Sequence, residues 1–187
     1  MSMDCIDSCL RYMDEHLNEH RRNHTLGVRE TALKLAGIYG ADKNKAEAAA
    51  LFHDIAKPLS QEESDAEVIK YGLPACLIGN RNLAHGHIAA CWARDRFGVT
   101  DEEVLDAVRY HTSAKKNIPL LSKIIFVADT VEPGRTYAEA EMLRNRAYED
   151  IDWVYRYILL WMRDDLKRKG IEPGRDTLEA IKEVTDE

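Results

Sequence analysis

The sequence is poor in cysteine, which limits the kinds of scaffold that it can build. Only Cys5, Cys9, Cys76 and Cys91 occur in 187 residues. They form no CxxC pair, which argues against a zinc knuckle, and they are too sparse for a disulfide framework. We therefore expect a protein of the reducing cytoplasm.

Long hydrophobic runs are also missing. A membrane span needs roughly 18 consecutive apolar residues, and the longest apolar stretch, 118–128, is interrupted by Ser122 and Lys123. Near the amino terminus, Asp4 and Asp7 stand where a signal peptide needs an unbroken apolar run. The sequence therefore predicts no membrane association.

Positive charge is in short supply as well. Lys and Arg number 26 against 33 Asp and Glu, which gives a net charge of -7. Binding to a nucleic acid duplex begins with neutralisation of phosphates, so we expect no such partner. An anionic substrate would need a local source of positive charge, and a bound metal ion would provide it.

The apolar residues that are present follow the period of an α-helix. A stripe that begins at Val28 ends at Gly40, and the segment 118–130 is the most apolar helix. Thr100 and Glu103 predict a capping box at the start of another helix. Because alternating strand patterns are absent, the sequence predicts an all-α fold.

The chain is predicted to form a single domain. Hydrophobic residues make up 45% of the sequence, enough for one sizeable core, and no linker-like shift in composition divides it. We expect one helical bundle over residues 1–187. Its core would span about 17–140, and the helices of 150–187 would pack on that core.

Several ionisable residues fall on apolar faces of predicted helices. His24, His53, His111 and Asp129 each share a face with aliphatic residues. A buried unpaired carboxylate is costly, whereas a shared zinc, manganese or iron ion would satisfy nitrogen and oxygen ligands together. From spacing alone, a metal site and scattered structural histidines both remain open.

Four segments resemble those of a known family, the HD-domain phosphohydrolases. His24, then His53-Asp54, then Asp129 follow the H…HD…D order of that family. More closely, the chain from about 17 to 178 resembles the YqeK subfamily, which are bacterial symmetrical bis(5'-nucleosyl)-tetraphosphatases. The segments that carry the resemblance are RRNHTLGV (21–28), LFHDIAK (51–57), HTS (111–113) and ADTVEPGR (128–135).

The resemblance implies an HD-domain helical bundle with a divalent metal, iron in the first place and manganese or zinc as alternatives. Its ligands would be His24, His53, Asp54 and Asp129. It also implies a dinucleoside polyphosphate substrate, with diadenosine tetraphosphate cut at its centre to give two ADP. The family usually has glycine at the position of Ala114, so this departure concerns substrate preference.

Further residues are assigned roles around that centre. We expect Asp54, Lys57, His85 and His111 to be catalytic, with Lys57 one turn beyond the ligand pair and able to stabilise charge. Substrate-binding residues would include Arg135, whose planar fork suits phosphate. The full substrate-binding set is His20, Arg21, Lys57, His85, His111, Thr112 and Arg135.

The histidines outside this set receive simpler interpretations. His16, His20 and His24 are spaced four apart and are expected on one helical face, with His16 at the surface. His87 is expected to be structural. We further expect one tightly held metal ion, with His85 and His111 contacting phosphate, because His85 is predicted near the start of its helix, where the dipole favours anions.

Two other functions remain open at this point. One is another HD phosphohydrolase that acts on nucleoside monophosphates or guanosine tetraphosphate. The other is a non-catalytic nucleotide-binding module, against which the open position of a metal site argues. A homodimer is left open.

Overall fold

The computed structural model describes residues 3–185, and within them the chain forms ten α-helices and no strand. The predicted all-α fold is therefore confirmed. The ends of the predicted domain, residues 1–2 and 186–187, lie outside the described residues. The helices are α1 (Met3–His16), α2 (Glu19–Tyr39), α3 (Lys43–Phe52), α4 (Gln61–Lys70), α5 (Arg81–Phe97), α6 (Glu102–Tyr110), α7 (Leu120–Val131), α8 (Ala140–Ala147), α9 (Ile151–Lys169) and α10 (Arg175–Thr185).

Helix boundaries follow from polar side chains that satisfy free backbone donors. Asn18 and Asp42 accept hydrogen bonds from the first turns of α2 and α3, and Ser60 forms a capping box with Glu63 at the start of α4. The α2 helix ends at Gly40, whose φ of 74° is the left-handed conformation that glycine adopts readily.

The predicted capping box at Thr100 is wrong by one residue. The side chain of Asp101 accepts the hydrogen bonds from the Glu103 and Val104 amides, so Asp101 is the N-cap of α6. The histidine face is also interrupted, because α1 ends at His16 and α2 begins at Glu19. His16 is exposed at the surface, as expected, but it does not continue the helix of His20.

The most apolar helix, α7, lies at the centre of the bundle. It packs against α2, α3, α6, α8 and α9, and most of its side chains are buried. One hydrophobic cluster runs from Cys5 in α1 to Val184 in α10. This packing brings the carboxyl end of α7 close to the middle of α2 and the end of α3.

Small residues let the helices around the site approach closely. Ala46, Ala48, Ala49 and Ala50 are fully buried in α3, where it packs on α2. In α5, a Cβ at Gly86 would lie 2.8 Å from the carbonyl oxygen of Arg109 and so has no room. The α5–α6 contact therefore requires glycine at this position.

Replacing that glycine tests how tightly the contact is built. We expect Gly86→Ala to lower the free energy of unfolding by about 1–3 kcal/mol. The added methyl group would clash with backbone carbonyl groups at the end of α6, and these cannot move away unless the helix itself shifts. Urea unfolding followed by circular dichroism measures this loss. Gly37→Ala in α2 is the control, since its Cβ would meet only the flexible end of Lys43; an equal loss in both variants would contradict the close-contact explanation.

Candidate metal centre and active site

Side chains from five segments of the bundle converge on one point. His24 lies in the middle of α2, His53 and Asp54 directly follow α3, His85 lies in α5, His111 follows α6, and Asp129 lies in the last turn of α7. Four of them are almost fully buried: His53, Asp54, His85 and His111. The helix packing thus gathers the residues that the sequence pattern singled out.

The first group of potential metal ligands consists of His24, His53 and Asp129. The Nε2 atoms of the two histidines are 3.3 Å apart, and His24 Nε2 lies 3.1 Å from Asp129 Oδ1. His53 Nδ1 donates to the carbonyl oxygen of Ala50, so its Nε2 presents a lone pair. Acceptor atoms that face one another in this way need a shared cation.

A second group consists of His53, Asp54 and His111. His111 Nδ1 donates to the Val108 carbonyl oxygen at 2.7 Å, which again turns the lone pair of Nε2 toward the centre. The Asp54 Oδ1 atom lies 3.1 Å from His85 Nε2 and 3.7 Å from His111 Nε2. Asp54 therefore adjoins both histidines as well as His53.

Burial and hydrogen bonding set the protonation states of these groups. Burial lowers the pKa of His53 and of His85 to about 4, so both imidazoles are neutral at pH 7. Burial alone would raise the pKa of Asp54 and Asp129, but nearby histidines outweigh it and hold both pKa values low. Two carboxylates and neutral imidazoles are the form in which these residues bind metal.

His24 differs from the other histidines. Burial alone would lower its pKa, but hydrogen bonds to Asp129 and Glu132 outweigh burial and raise the pKa above its ordinary value. A proton and a cation therefore compete for the same Nε2 lone pair. Taken together, the donor set of imidazole nitrogens and carboxylate oxygens fits a divalent metal ion.

A cavity of about 170 Å³ opens beside these ligands. Its cationic groups are close to the carboxylates: Arg135 Nη2 donates to Asp129 Oδ1 at 2.7 Å, and Arg21 Nη1 lies 3.8 Å from Asp54 Oδ2. The lining residues are His20, Arg21, His24, Asp54, Lys57, Asp129 and Arg135. The cavity thus joins potential metal ligands with positively charged side chains.

Three of the residues predicted to bind substrate do not line this cavity. His85 and His111 are buried and Thr112 is partly buried. Lys57, which lines the cavity, has its Nζ 3.2 Å from His85 Nε2, and the Thr112 hydroxyl group is 3.0 Å from His111 Nε2. Contact of these three residues with phosphate stays a prediction.

His85 does not lie among the free amides at the start of its helix. The α5 helix begins at Arg81, so His85 is in its second turn, where the amides bond within the helix. His87 faces away from the centre: its ring lies against Tyr110, with 5.8 Å between the ring centroids. This position agrees with the structural interpretation of His87.

Ala114 has an unusual backbone conformation just after the HTS segment. Its φ is 54°, in the left-handed region that glycine adopts readily. This is the position at which the sequence departs from the glycine usual in the resembling family. Alanine here holds a left-handed backbone that glycine would adopt at lower cost.

Glu132 is a site residue that the sequence interpretation missed. It is buried, with 3% of its surface exposed. Its Oε1 accepts a hydrogen bond from His24 Nδ1 at 3.1 Å, and its Oε2 accepts one from the Gly134 amide. A carboxylate in this position fixes the tautomer and orientation of a metal-ligating histidine. The sequence signal that could have identified Glu132 is its position, three residues after Asp129 and directly before Pro133-Gly134.

Comparison with known proteins agrees with this geometry. Residues 21–134 match the HD domain family, and the chain belongs to this family. The match spans the potential ligands, from His24 to Asp129.

Individual relatives are similar over most of their length. The chain is 42% identical to the symmetrical bis(5'-nucleosyl)-tetraphosphatase of Halalkalibacterium halodurans, over 76% of this chain and 77% of that protein. It is 41% identical to the protein of the same name from Bacillus subtilis, over 78% and 79% respectively. A crystal structure of a predicted HD superfamily hydrolase involved in NAD metabolism, from Clostridium acetobutylicum, superposes with a TM-score of 0.91 at 36% identity and covers 96% of both chains.

The Glu132 carboxylate generates a prediction for metal affinity. We expect Glu132→Gln to weaken divalent metal binding about 10- to 100-fold, because the neutral amide supports the His24 ring less well. Titration of metal-stripped protein against a competing chelator measures the affinity, and thermal unfolding monitors the fold. Glu141→Gln, an exposed acid on α8, is the control; metal affinity that is the same in all three proteins would contradict the role of Glu132.

Proposed function

We propose that this protein is a metal-dependent hydrolase that cleaves dinucleoside tetraphosphates symmetrically, with diadenosine tetraphosphate giving two ADP. One observation carries the proposal: acceptor atoms of His24, buried His53 and Asp129 face one another beside a cavity lined by Lys57, Arg21 and Arg135. Relatives at 38–42% identity that bear this name support the choice of substrate.

His24, His53, Asp54 and Asp129 would hold the divalent ion, and iron is the metal that we propose. When bound, the ion supplies positive charge for the phosphates and Lewis acidity for the activation of water. The buried imidazole of His53 stays neutral at pH 7, and its Nε2 lone pair faces this point. Glu132 holds the ring of His24 in place.

The cationic side chains of the cavity would bind the polyphosphate. Arg135 is held by Asp129 through its Nη2 and Nε atoms, which leaves the rest of its guanidinium group for phosphate oxygens. Lys57 Nζ lies 4.0 Å from Asp54 Oδ1, next to the ligands, where negative charge develops as the anhydride bond breaks. Arg21 and His20 lie at the mouth of the cavity.

His85 and His111 complete the proposed catalytic group, and two roles are open to them. They contact phosphate beside one ion, as the sequence predicted, or they bind a second ion with Asp54. Both histidines are buried, and their Nε2 atoms lie within 3.7 Å of Asp54 Oδ1, which supports the second role.

Other predictions about the protein's surroundings remain predictions. Within residues 3–185 no helix combines the length and apolarity required to cross a membrane, and location in the cytoplasm is a further proposal. We likewise keep the homodimer open as a proposal for size measurement in solution.

The identity of the product tests the proposed function. Incubation of diadenosine tetraphosphate with the metal-loaded protein should give ADP alone, because symmetrical cleavage makes two equal halves. Asp54→Ala should abolish turnover, whereas Asp164→Ala, an exposed carboxylate on α9, should not change it. Chromatography separates the nucleotides. Formation of ATP with AMP would contradict the symmetrical cut, and tight binding without turnover would favour a nucleotide-binding module.

Metal content decides the role of His85. If it binds a second ion, the wild-type protein should contain two ions per chain and His85→Ala only one. Elemental analysis of protein purified without oxygen measures this number. His87→Ala, on the same helix but directed at Tyr110, is the matched control. One ion in both the wild type and His85→Ala would instead support contact with phosphate.

A further inference from the structure

A second cavity lies beside the metal centre, and its lining is more apolar and aromatic than that of the first. Its volume is about 260 Å³, below the usual range for sites that enclose a whole ligand. Its lining residues are Thr130, Arg135, Tyr137, Leu143, Ile158 and Trp161. This set contains two aromatic rings, two aliphatic side chains and one cation.

The two cavities meet at a single side chain. Arg135 lines both the polar cavity of the metal centre and the aromatic cavity. Its Nη2 donates to Asp129 Oδ1 at 2.7 Å, and its Nε donates to the Asp129 carbonyl oxygen at 2.9 Å. A ligand with phosphates on one side of Arg135 can therefore place a neighbouring group on the other side.

The aromatic cavity has a buried apolar floor and exposed aromatic walls. Leu143 and Ile158 are buried, whereas Tyr137 and Trp161 are 40% and 59% exposed. The Tyr137 hydroxyl group donates to the Thr130 carbonyl oxygen at 2.8 Å, which holds that side chain in place. In the part of the chain that the structure describes, neither ring stacks on another aromatic ring, so their faces are available to a planar group.

We infer that this aromatic cavity binds a purine base of the nucleotide substrate, with Trp161 and Tyr137 as its stacking residues. The inference rests on the proposed function, since a dinucleoside polyphosphate carries a flat, largely apolar base at each end of a polyanionic chain. Stacking of a base on an aromatic side chain is favourable for any base, because every base has a π-face.

A third cavity, of about 490 Å³, shares His20 and His24 with the polar cavity of the metal centre. It is also lined by Glu30 and Glu132, and no aromatic ring other than histidine is among its lining residues. A base that entered this cavity would find no tyrosine or tryptophan on which to stack, so we assign the base site to the aromatic cavity alone.

Binding of the product ADP tests the inference apart from turnover. Calorimetric titration of ADP into protein of matched metal content should show about tenfold weaker binding for Trp161→Ala than for wild type, with Trp161→Phe retaining most of the affinity. Inorganic pyrophosphate, which lacks a base, should bind equally to all three. Trp153→Ala is the matched control, since Trp153 is also exposed on α9 but lines neither cavity.

The outcomes separate this inference from the proposed function. Equal ADP affinity of wild type and Trp161→Ala would overturn the base site even if symmetrical hydrolysis is observed. Equally weaker binding of ADP and of pyrophosphate by Trp161→Ala would also overturn it, because this result would indicate general damage to the protein. A change of oligomeric state in Trp161→Ala would overturn it too, because it would indicate that Trp161 forms a contact between copies. Loss of ADP affinity in a protein that does not hydrolyse diadenosine tetraphosphate would support the base site and contradict the proposed reaction.

Discussion

The structure depends on a cluster of hydrogen-bond acceptors that the fold brings into one small volume. The Nδ1 atoms of His53 and His111 each donate a hydrogen bond to a backbone carbonyl group of the preceding helical turn. The Nε2 lone pair of each ring therefore faces inward. Asp54 and Asp129 add carboxylate oxygens to the same volume. Bringing such groups together in a buried place is unfavourable unless a cation is shared among them. The bundle is arranged so that α2, α3, α5, α6 and α7 supply these groups, and its close helix contacts serve that arrangement.

Small residues make that convergence sterically feasible. Alanine fills the buried face of α3, and Gly86 allows α5 to approach the carbonyl groups at the end of α6. Helix α7 contributes the large, fully buried side chains of Leu121, Ile124 and Ile125 to the core, and the same helix carries Asp129 in its last turn. Apolar packing and site geometry therefore depend on one helix.

Helix periodicity placed His24, His53, His111 and Asp129 on apolar faces but left a metal site open, and the predicted ligand set came from the resemblance to the HD-domain family. His24 and Asp129 share helix faces with aliphatic residues, and this pattern can be recognised from the sequence alone. Residues whose role depends on a distant partner were not visible in this way. Glu132 acts on His24 across 108 positions of sequence, and Trp161 reaches the cavity of Arg135 only through the packing of α9 on α7 and α8. The break between α1 and α2 was missed because Leu17 continues the apolar stripe while Asn18 caps the next helix. The α8 helix was missed because it has no side-chain cap and few apolar residues.

The position of Glu132 has a consequence for cooperativity. One oxygen of this carboxylate accepts from a potential metal ligand, and the other accepts from the backbone of the Pro133-Gly134 turn that carries Arg135. A cation on His24 makes the Nδ1 proton more acidic and strengthens its bond to Glu132, which in turn steadies the turn. By thermodynamic reciprocity, an anion that draws Arg135 into a fixed position must favour the cation to the same degree. Glu132 would thus couple the occupancy of a cation site and an anion site through one buried carboxylate.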